Sequence, residues 1–437
     1  MRFSMKRIVG FLGSPLRDIL VQNSYFQMAS TFGPSVISMV FWVLAARLYD
    51  AGSVGYVVVL FSALNLLTVF ASLGLGISII RFLPEAGSGG ARMINTSMTL
   101  GGLASIGAAL IYIAGLDLWG PSLKDTLWEP AFAIAFTVFS VVWTLRYIQS
   151  CVFLARCKSR HTFVLNMLAS LSKLGLLVVL AAVSASYLGI FAAIGIGMTL
   201  ALVMGLFIQM PIVQPGYRPA AVICKESLRK IGAYTTSNYV SRTLLQILPF
   251  VLPMIVINVL GAESSAYFYM AWSVGAILIV LPASIFNSLF AVASNDSERA
   301  STETRKALRL LFTILIPAIA VLVLAAGFIL ELFGAEYSDN GANLLRVIAI
   351  SIIPYSINYL HITVDRVNLA SMNLIATAAA MTVLSLGLAY WFGTEWGLIG
   401  IGAGWLAGQS IVSVVATARL LNGPLRRGRS GNDASAS

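Results

Sequence analysis

TTSNYVSRTLLQILPFVLPMIVINVL, from Thr235 to Leu260, decides how the rest of the chain is read. Asn238, Arg242, Gln246 and Pro249 recur at i, i+4, i+8 and i+11, so a helix gathers them on one face, while the other faces are mostly Leu, Ile, Val and Phe. The pattern predicts a membrane-spanning helix with a polar stripe. At a rise of about 1.5 Å per residue, Arg242 falls about 10 Å from the helix start. An ionised group at that depth costs about 3 kcal/mol unless it faces protein or water, so Arg242 favours a cavity. Pro249 and Pro253 each remove a backbone hydrogen bond, which favours a bend and frees carbonyls towards that cavity.

The same physics extends along all 437 residues, of which 58% are hydrophobic and only 10% charged. This composition, with a strongly positive mean hydropathy, predicts an all-α polytopic membrane protein and excludes an ordinary soluble domain. Twelve spans are expected, at 24–46, 53–79, 93–114, 130–154, 161–184, 187–210, 235–260, 265–291, 308–332, 342–365, 370–392 and 396–420. Cys151, Cys157 and Cys224 give no paired framework. His161 and His361 lie far apart without neighbours at metal-ligand spacing, so neither a metal site nor a catalytic residue is indicated.

Charge placement tests the span count. With the N-terminus inside, all but six of the 28 lysines and arginines fall in cytoplasmic segments or span ends. Arg47 and Lys124 fall outside, and Arg146, Lys173, Arg242 and Arg346 fall within spans. One missed helix would invert the alternation downstream. The net charge of +11 is therefore mostly orientation, with weak attraction to anionic headgroups, and not a nucleic-acid footprint.

Residues 1–22 mix Arg2, Lys6, Arg7 and Arg17 with Phe3, Ile8, Val9, Phe11 and Leu12, which fits an amphipathic cytoplasmic segment and fits a disordered basic lead-in equally well. No cleavable signal is read there. The remaining expected divisions are a six-helix lobe over 23–210, a cytoplasmic linker over 211–231 marked by Pro211, Pro215, Gly216 and Pro219, a second six-helix lobe over 232–421, and a disordered cytoplasmic tail over 422–437. The lobes echo each other. Arg47-Leu-Tyr-Asp-Ala-Gly-Ser-Val-Gly55-Tyr56 leads into span two much as Leu260-Gly-Ala-Glu-Ser-Ser-Ala266-Tyr267 leads into span eight, 211 residues on.

Leu44-Ala-Ala-Arg47-Leu-Tyr-Asp-Ala-Gly-Ser-Val-Gly55-Tyr, an apolar run, and then Leu73-Gly-Leu-Gly76-Ile-Ser-Ile-Ile-Arg81-Phe-Leu-Pro84-Glu resemble the opening of the polysaccharide-exporter, or Wzx-like oligosaccharide flippase, family of the MATE/MOP superfamily. Beyond Glu85 only the twelve-span layout carries the likeness. The resemblance implies two six-helix bundles in the bacterial cytoplasmic (inner) membrane, both termini cytoplasmic, moving polyprenyl-pyrophosphate-linked sugars between leaflets for cell-surface polysaccharide biosynthesis. A polysaccharide polymerase or glycosyltransferases are the partners such a flippase would serve.

The residues point to the same kind of cargo. Span four offers Arg146 and Gln149, span five Asn166, Ser170 and Lys173, span ten Arg346, Asn358, His361 and Asp365, and span one Asn23, Gln27, Thr31 and Ser38. Within spans, Arg146, Lys173, Arg242 and Arg346 outnumber the acids Glu331 and Asp365, both at helix ends. A lumen of that sign attracts an anion, and Gln27, Asn166, Asn238, Gln246 and Asn358 supply hydrogen bonds for sugar hydroxyls.

Each residue also has a plainer role. Arg346 and Arg146 could snorkel to the interface, and the span-one stripe could be close helix packing. His361 and Asp365 at i, i+4 are candidates for proton coupling, although a helix-end salt bridge from Asp365 to Arg366 accounts for the acid more simply. Proton and sodium coupling both stay open, and no other cofactor is implied. Two rival functions remain. A cation-coupled multidrug exporter would be expected to place an acid deep in spans one to six, which contain none; a membrane polymerase or ligase would be expected to have a large outer loop.

Overall fold

A computed structural model describes residues 19–183, 186–224, 236–293, 300–368 and 370–422. The helices that matter are α1 (Ile19–Leu48), α2 (Ala51–Ala71), α3 (Leu75–Phe82), α4 (Gly90–Ala114), α5 (Pro130–Ala155), α6 (Ser159–Val183), α7 (Tyr187–Met204), α8 (Thr236–Leu260), α9 (Ala262–Gly275), α10 (Val280–Ala293), α11 (Ala300–Leu324), α12 (Ala335–Val367) and α13 (Ser371–Asn422). Among the described residues, eleven helical stretches are long and apolar enough to cross a membrane. The last of them, Met372–Leu420, runs 49 residues, about twice what a crossing needs. It breaks at Gly397, whose φ of 63° and ψ of −142° are not helical, and so supplies two spans, in line with those expected at 370–392 and 396–420.

Local chemistry sets several boundaries. The Asp50 carboxylate accepts a 2.7 Å bond from the Ser53 amide and caps the start of α2. Pro130 opens α5 after the extended Glu129, where its missing N–H costs nothing. The expected span 53–79 is divided: Leu73 and Gly74 take left-handed φ values of 45° and 70° and separate α2 from α3. A 3-10 turn over Ala276–Ile279 likewise joins α9 to α10 inside the expected span 265–291. Pro34, Pro249, Pro253, Pro317 and Pro354 all sit inside continuous helices.

The described chain forms two compact units, one drawn from Met1–Tyr49 and Leu64–Tyr239, the other from Asp50–Ala63 and Val240–Ser437. The division differs from the sequence reading at two places: the first unit runs on to Tyr239, past the expected lobe boundary at 232, and residues 50–63 join the second unit instead of the 23–210 lobe. The reason for the second difference is a close helix approach. A methyl group on Gly55 would lie 1.8 Å from the Ala262 carbonyl oxygen, and Phe61 packs edge-on against Tyr269 with ring centres 6.4 Å apart.

In the first unit α6 packs against α1 and α7, and α4 against α5, around Leu75, Ile79, Ile94, Ile148, Phe153 and Leu165. The start of the linker is held on this unit by side-chain bonds: Asn95 donates to the Arg218 carbonyl at 2.9 Å, and Arg156 donates to Gln214 at 3.0 Å. In the second unit α12 packs against α9, α10, α11 and α13. An aromatic column of Trp272, Trp405, Tyr355 and Tyr359 fills its interior. The amphipathic segment and the polar tail expected at the chain ends fall outside the described residues, apart from the few that continue α1 and α13.

Candidate functional site

Arg146 lies nine residues from the end of α5 and is only 5% exposed. Its Nη1 donates to Gln149 Oε1 at 2.6 Å and its Nη2 to Asn166 Oδ1 on α6 at 2.8 Å. Asn166 passes the connection on, donating from Nδ2 to the Ser30 carbonyl of α1 at 3.0 Å. Gln149 reaches Arg146 because the residue opposite is Gly205, where a methyl would lie 2.3 Å from the Gln149 amide nitrogen. Gly205 begins a π-helical turn, Gly205–Gln209, of the kind that recurs at functional positions.

Arg146 Nε and Gln149 Nε2 remain buried without acceptors. The group thus holds one full positive charge, two donors not yet used, and only neutral amide oxygens as partners. An anion or an array of hydroxyls matches that inventory.

Lys173 extends from the same helix as Asn166, seven residues on. Its ammonium donates to the Ser38 hydroxyl of α1 at 2.8 Å and lies 4.8 Å from the centre of the Phe41 ring. Gly197 of α7 lets this part of α6 sit close, since a methyl there would meet the Lys173 amide at 2.9 Å. Among the described residues no carboxylate pairs with either Lys173 or Arg146.

The structure brings Arg146 and Asn166 together and sets Lys173 on the same helix as Asn166, but it gives other sequence-selected residues structural work. Gln27 accepts the Ser159 hydroxyl at 3.0 Å and Asn23 accepts the Ser159 amide at 2.8 Å, so the lower span-one stripe holds the start of α6. Arg346 donates to the Val323 carbonyl at 3.2 Å and to Asn343 at 2.5 Å, tying α12 to the C-terminal turn of α11, where a cation is favoured. Gln246 is exposed on α8. Asn238 and Arg242 lie in the first two turns of α8, and their side chains fall outside the described residues.

In the second unit Asn358 is fully buried and donates to both the carbonyl and the side chain of Gln409, at 2.9 and 3.0 Å. Asp365 faces His361 at 3.3 Å and not Arg366. Neighbouring helical residues point about 100° apart, whereas i and i+4 share a face, so the helix-end bridge to Arg366 gives way to the intrahelical pair. Ser30, Phe41 and Gly205 were not singled out from the sequence. The aromatic and the glycine carry no polar signal of their own, and Ser30 contributes only its backbone carbonyl.

No family profile matches the chain. It is 28% identical over 184 residues to a putative O-antigen transporter from Shigella flexneri, a match covering 40% of this chain and 41% of that one. The match therefore spans about two-fifths of the curated relative's length. Among solved structures, the inward-facing conformation of a multidrug resistance MATE family transporter of the MOP superfamily superposes with a TM-score of 0.66 at 16% identity, over 92% of this chain and 95% of that one. The outward-facing conformation gives 0.63 at 16% identity, over 96% and 97%. A MATE structure in the straight conformation gives 0.61 at 16% identity, over 96% and 98%. The chain has the fold of these MATE transporters, and the partial match to a putative O-antigen transporter is in keeping with the resemblance read from Leu44 to Glu85.

Proposed function

We propose that this chain, a multi-pass membrane protein with the MATE transporter fold, is a flippase that moves a polyprenyl-pyrophosphate-linked oligosaccharide across the bacterial cytoplasmic membrane by alternating access, for cell-surface polysaccharide biosynthesis. The observation that carries this reading is the sign of the charge buried in the first unit. Arg146 is bonded only to amide oxygens, Lys173 only to a hydroxyl and a ring face, and the first six expected spans contain no Asp or Glu, since Asp50, Glu85, Asp117, Asp125 and Glu129 all lie in the loops between them. An uncompensated cation within hydrocarbon costs about 3 kcal/mol, and that cost is offset when an anion visits.

Pyrophosphate is such an anion. Lys173 and Arg146 would receive it. The unused donors of Arg146 and Gln149 and the hydroxyls of α1 and α6 would meet phosphate oxygens and sugar hydroxyls. The name of the curated relative, an O-antigen transporter, is in keeping with this cargo. Both termini would be cytoplasmic, and a polymerase or glycosyltransferases would act on either side of the flipping step.

The second reading is a cation-coupled multidrug exporter, because the solved neighbours are multidrug transporters of the same fold. A positively charged drug needs an acid to meet it, and the first unit's spans provide only cations. Vesicles containing the purified chain separate the readings. Labelled lipid-linked sugar should cross to the opposite leaflet, whereas drug-driven transport with no sugar transfer would overturn the proposal. Lengthening of the sugar chain would make the protein a polymerase.

A further inference from the structure

Asn358, His361 and Asp365 stand at i, i+3 and i+7 on α12 and so share one face. They are 0%, 4% and 7% exposed. Each retains a buried polar atom with no hydrogen-bond partner: Asn358 Oδ1, His361 Nδ1 and Asp365 Oδ2. Nδ1 and Oδ2 face each other at 3.3 Å. A neutral imidazole carries one ring proton, and in the Nδ1–H tautomer that proton lies between Nδ1 and the carboxylate, so the pair holds one net negative charge with Nε2 as its open acceptor. A further proton, taken up on the imidazole or on the carboxylate, cancels that charge and is held by the partner across the contact.

From the geometry we infer that His361 and Asp365 form a binding site for a single proton, whose occupancy sets the charge presented to Arg419 on α13. Without the proton the pair carries a net charge of minus one; with it the pair is neutral overall. Arg419 acts electrostatically on both members, and among the described residues it is the charged side chain that does so from a neighbouring helix. On the pair's own helix the charged and titratable neighbours are Arg366, next to Asp365, and Tyr359, two residues before His361.

The chemistry selects a proton over a metal ion. An alkali or alkaline-earth cation wants a shell of oxygen ligands, whereas this face offers an imidazole nitrogen, one amide oxygen and one carboxylate. Among the described residues no group of three His, Cys, Asp or Glu side chains could hold a metal.

The site is joined to both halves of α13. Asn358 bonds to Gln409 beyond the Gly397 break, and Gln409 Nε2 donates to Ser385 before it at 3.0 Å. Arg419 lies ten residues beyond Gln409 on the same helix. Proton uptake therefore changes the attraction between α12 and α13 about two to three helical turns from the Asn358–Gln409 tie. The site stands whichever cargo the chain carries.

The chain has two histidines, so ring-labelled histidine in the purified full-length protein gives two resonances, and His161→Gln assigns them. His361 should bind one proton reversibly. D365N should weaken that binding at least tenfold, and R419Q, an exposed change, should strengthen it two- to threefold. Far-ultraviolet circular dichroism and size exclusion report whether each variant is folded. Should D365N fail to fold, D365E and R419Q carry the test. If His361 titrates identically in wild type and R419Q and in whichever Asp365 variant folds, or takes up no proton between pH 4 and 9, the site is refuted.

Discussion

The Lys173 ammonium donates a 2.8 Å hydrogen bond to the Ser38 hydroxyl, joining α6 to α1 where a half-buried cation would ordinarily find a carboxylate. A hydroxyl and the Phe41 face give a cation modest stabilisation and leave its charge available to a stronger partner. Lys173→Ala should therefore lower the rate of lipid-linked sugar transfer at least tenfold, about 1.4 kcal/mol of lost transition-state stabilisation, while the protein remains folded. Lys173→Arg should keep part of the activity. Leaflet transfer in vesicles is the measurement, and wild-type rates in Lys173→Ala would remove this residue from the mechanism.

Arg146 and Asn166 should respond asymmetrically. Replacing Asn166 by Leu takes an acceptor away from a guanidinium that is only 5% exposed, stranding charge. Replacing Arg146 by Met leaves only neutral amides short of a donor. Asn166→Leu should cost about 3 kcal/mol and Arg146→Met about 1 to 2 kcal/mol. Thermal unfolding in detergent tests the order, and equal losses would show that stranding the buried charge costs no more than stranding a neutral amide.

Gly55 and Gly107 offer a matched pair within long helices. A methyl on Gly55 would collide with the Ala262 backbone, whereas one on Gly107 would meet nothing within 4 Å. Gly55→Ala should destabilise by about 3 kcal/mol through forced backbone separation. Gly107→Ala should be neutral or stabilising by about 0.5 kcal/mol, because Ala loses less freedom on forming a helix. Melting curves that leave Gly55→Ala unchanged would contradict the close approach of α2 to α9.

The architecture was largely legible because a bilayer demands runs of apolar residues, and those runs survive in sequence whatever packs against them. The stripe Asn166, Ser170, Lys173 announced itself by helical spacing, and Arg146 with Gln149 by depth. What spacing does not encode is the partner across the helix. Asn23 and Gln27 looked like a lumenal stripe but serve the start of α6, because Ser159 comes from another helix. Arg346, near its span's end, already read as able to snorkel, but its spacing did not announce the Val323 carbonyl that gives it a tie between helices. The left-handed Leu73 was equally silent, since nothing in a leucine signals a helix break.

Asp50 gives the chain a pH dependence that can be signed. Burial pushes its carboxyl up, but hydrogen bonds from the Ser53 hydroxyl and amide and from the Gly52 amide outweigh that and hold it below its usual value of 3.8. A carboxylate that loses its proton more readily when folded adds stability at pH values above 3.8, and that stability drains away as the pH falls through the folded-state value. Asp50→Ala should cost about 1 kcal/mol at neutral pH, as the loss of a helix N-cap does, and the gap from wild type should close towards about pH 3. Asp50→Asn, which keeps an acceptor without a titrating proton, should hold a constant offset from Asp50→Ala across the same range. Unfolding midpoints of the three proteins between about pH 3 and 7 decide the matter, because a gap that widens on acidification would mean that the carboxylate is not what caps α2.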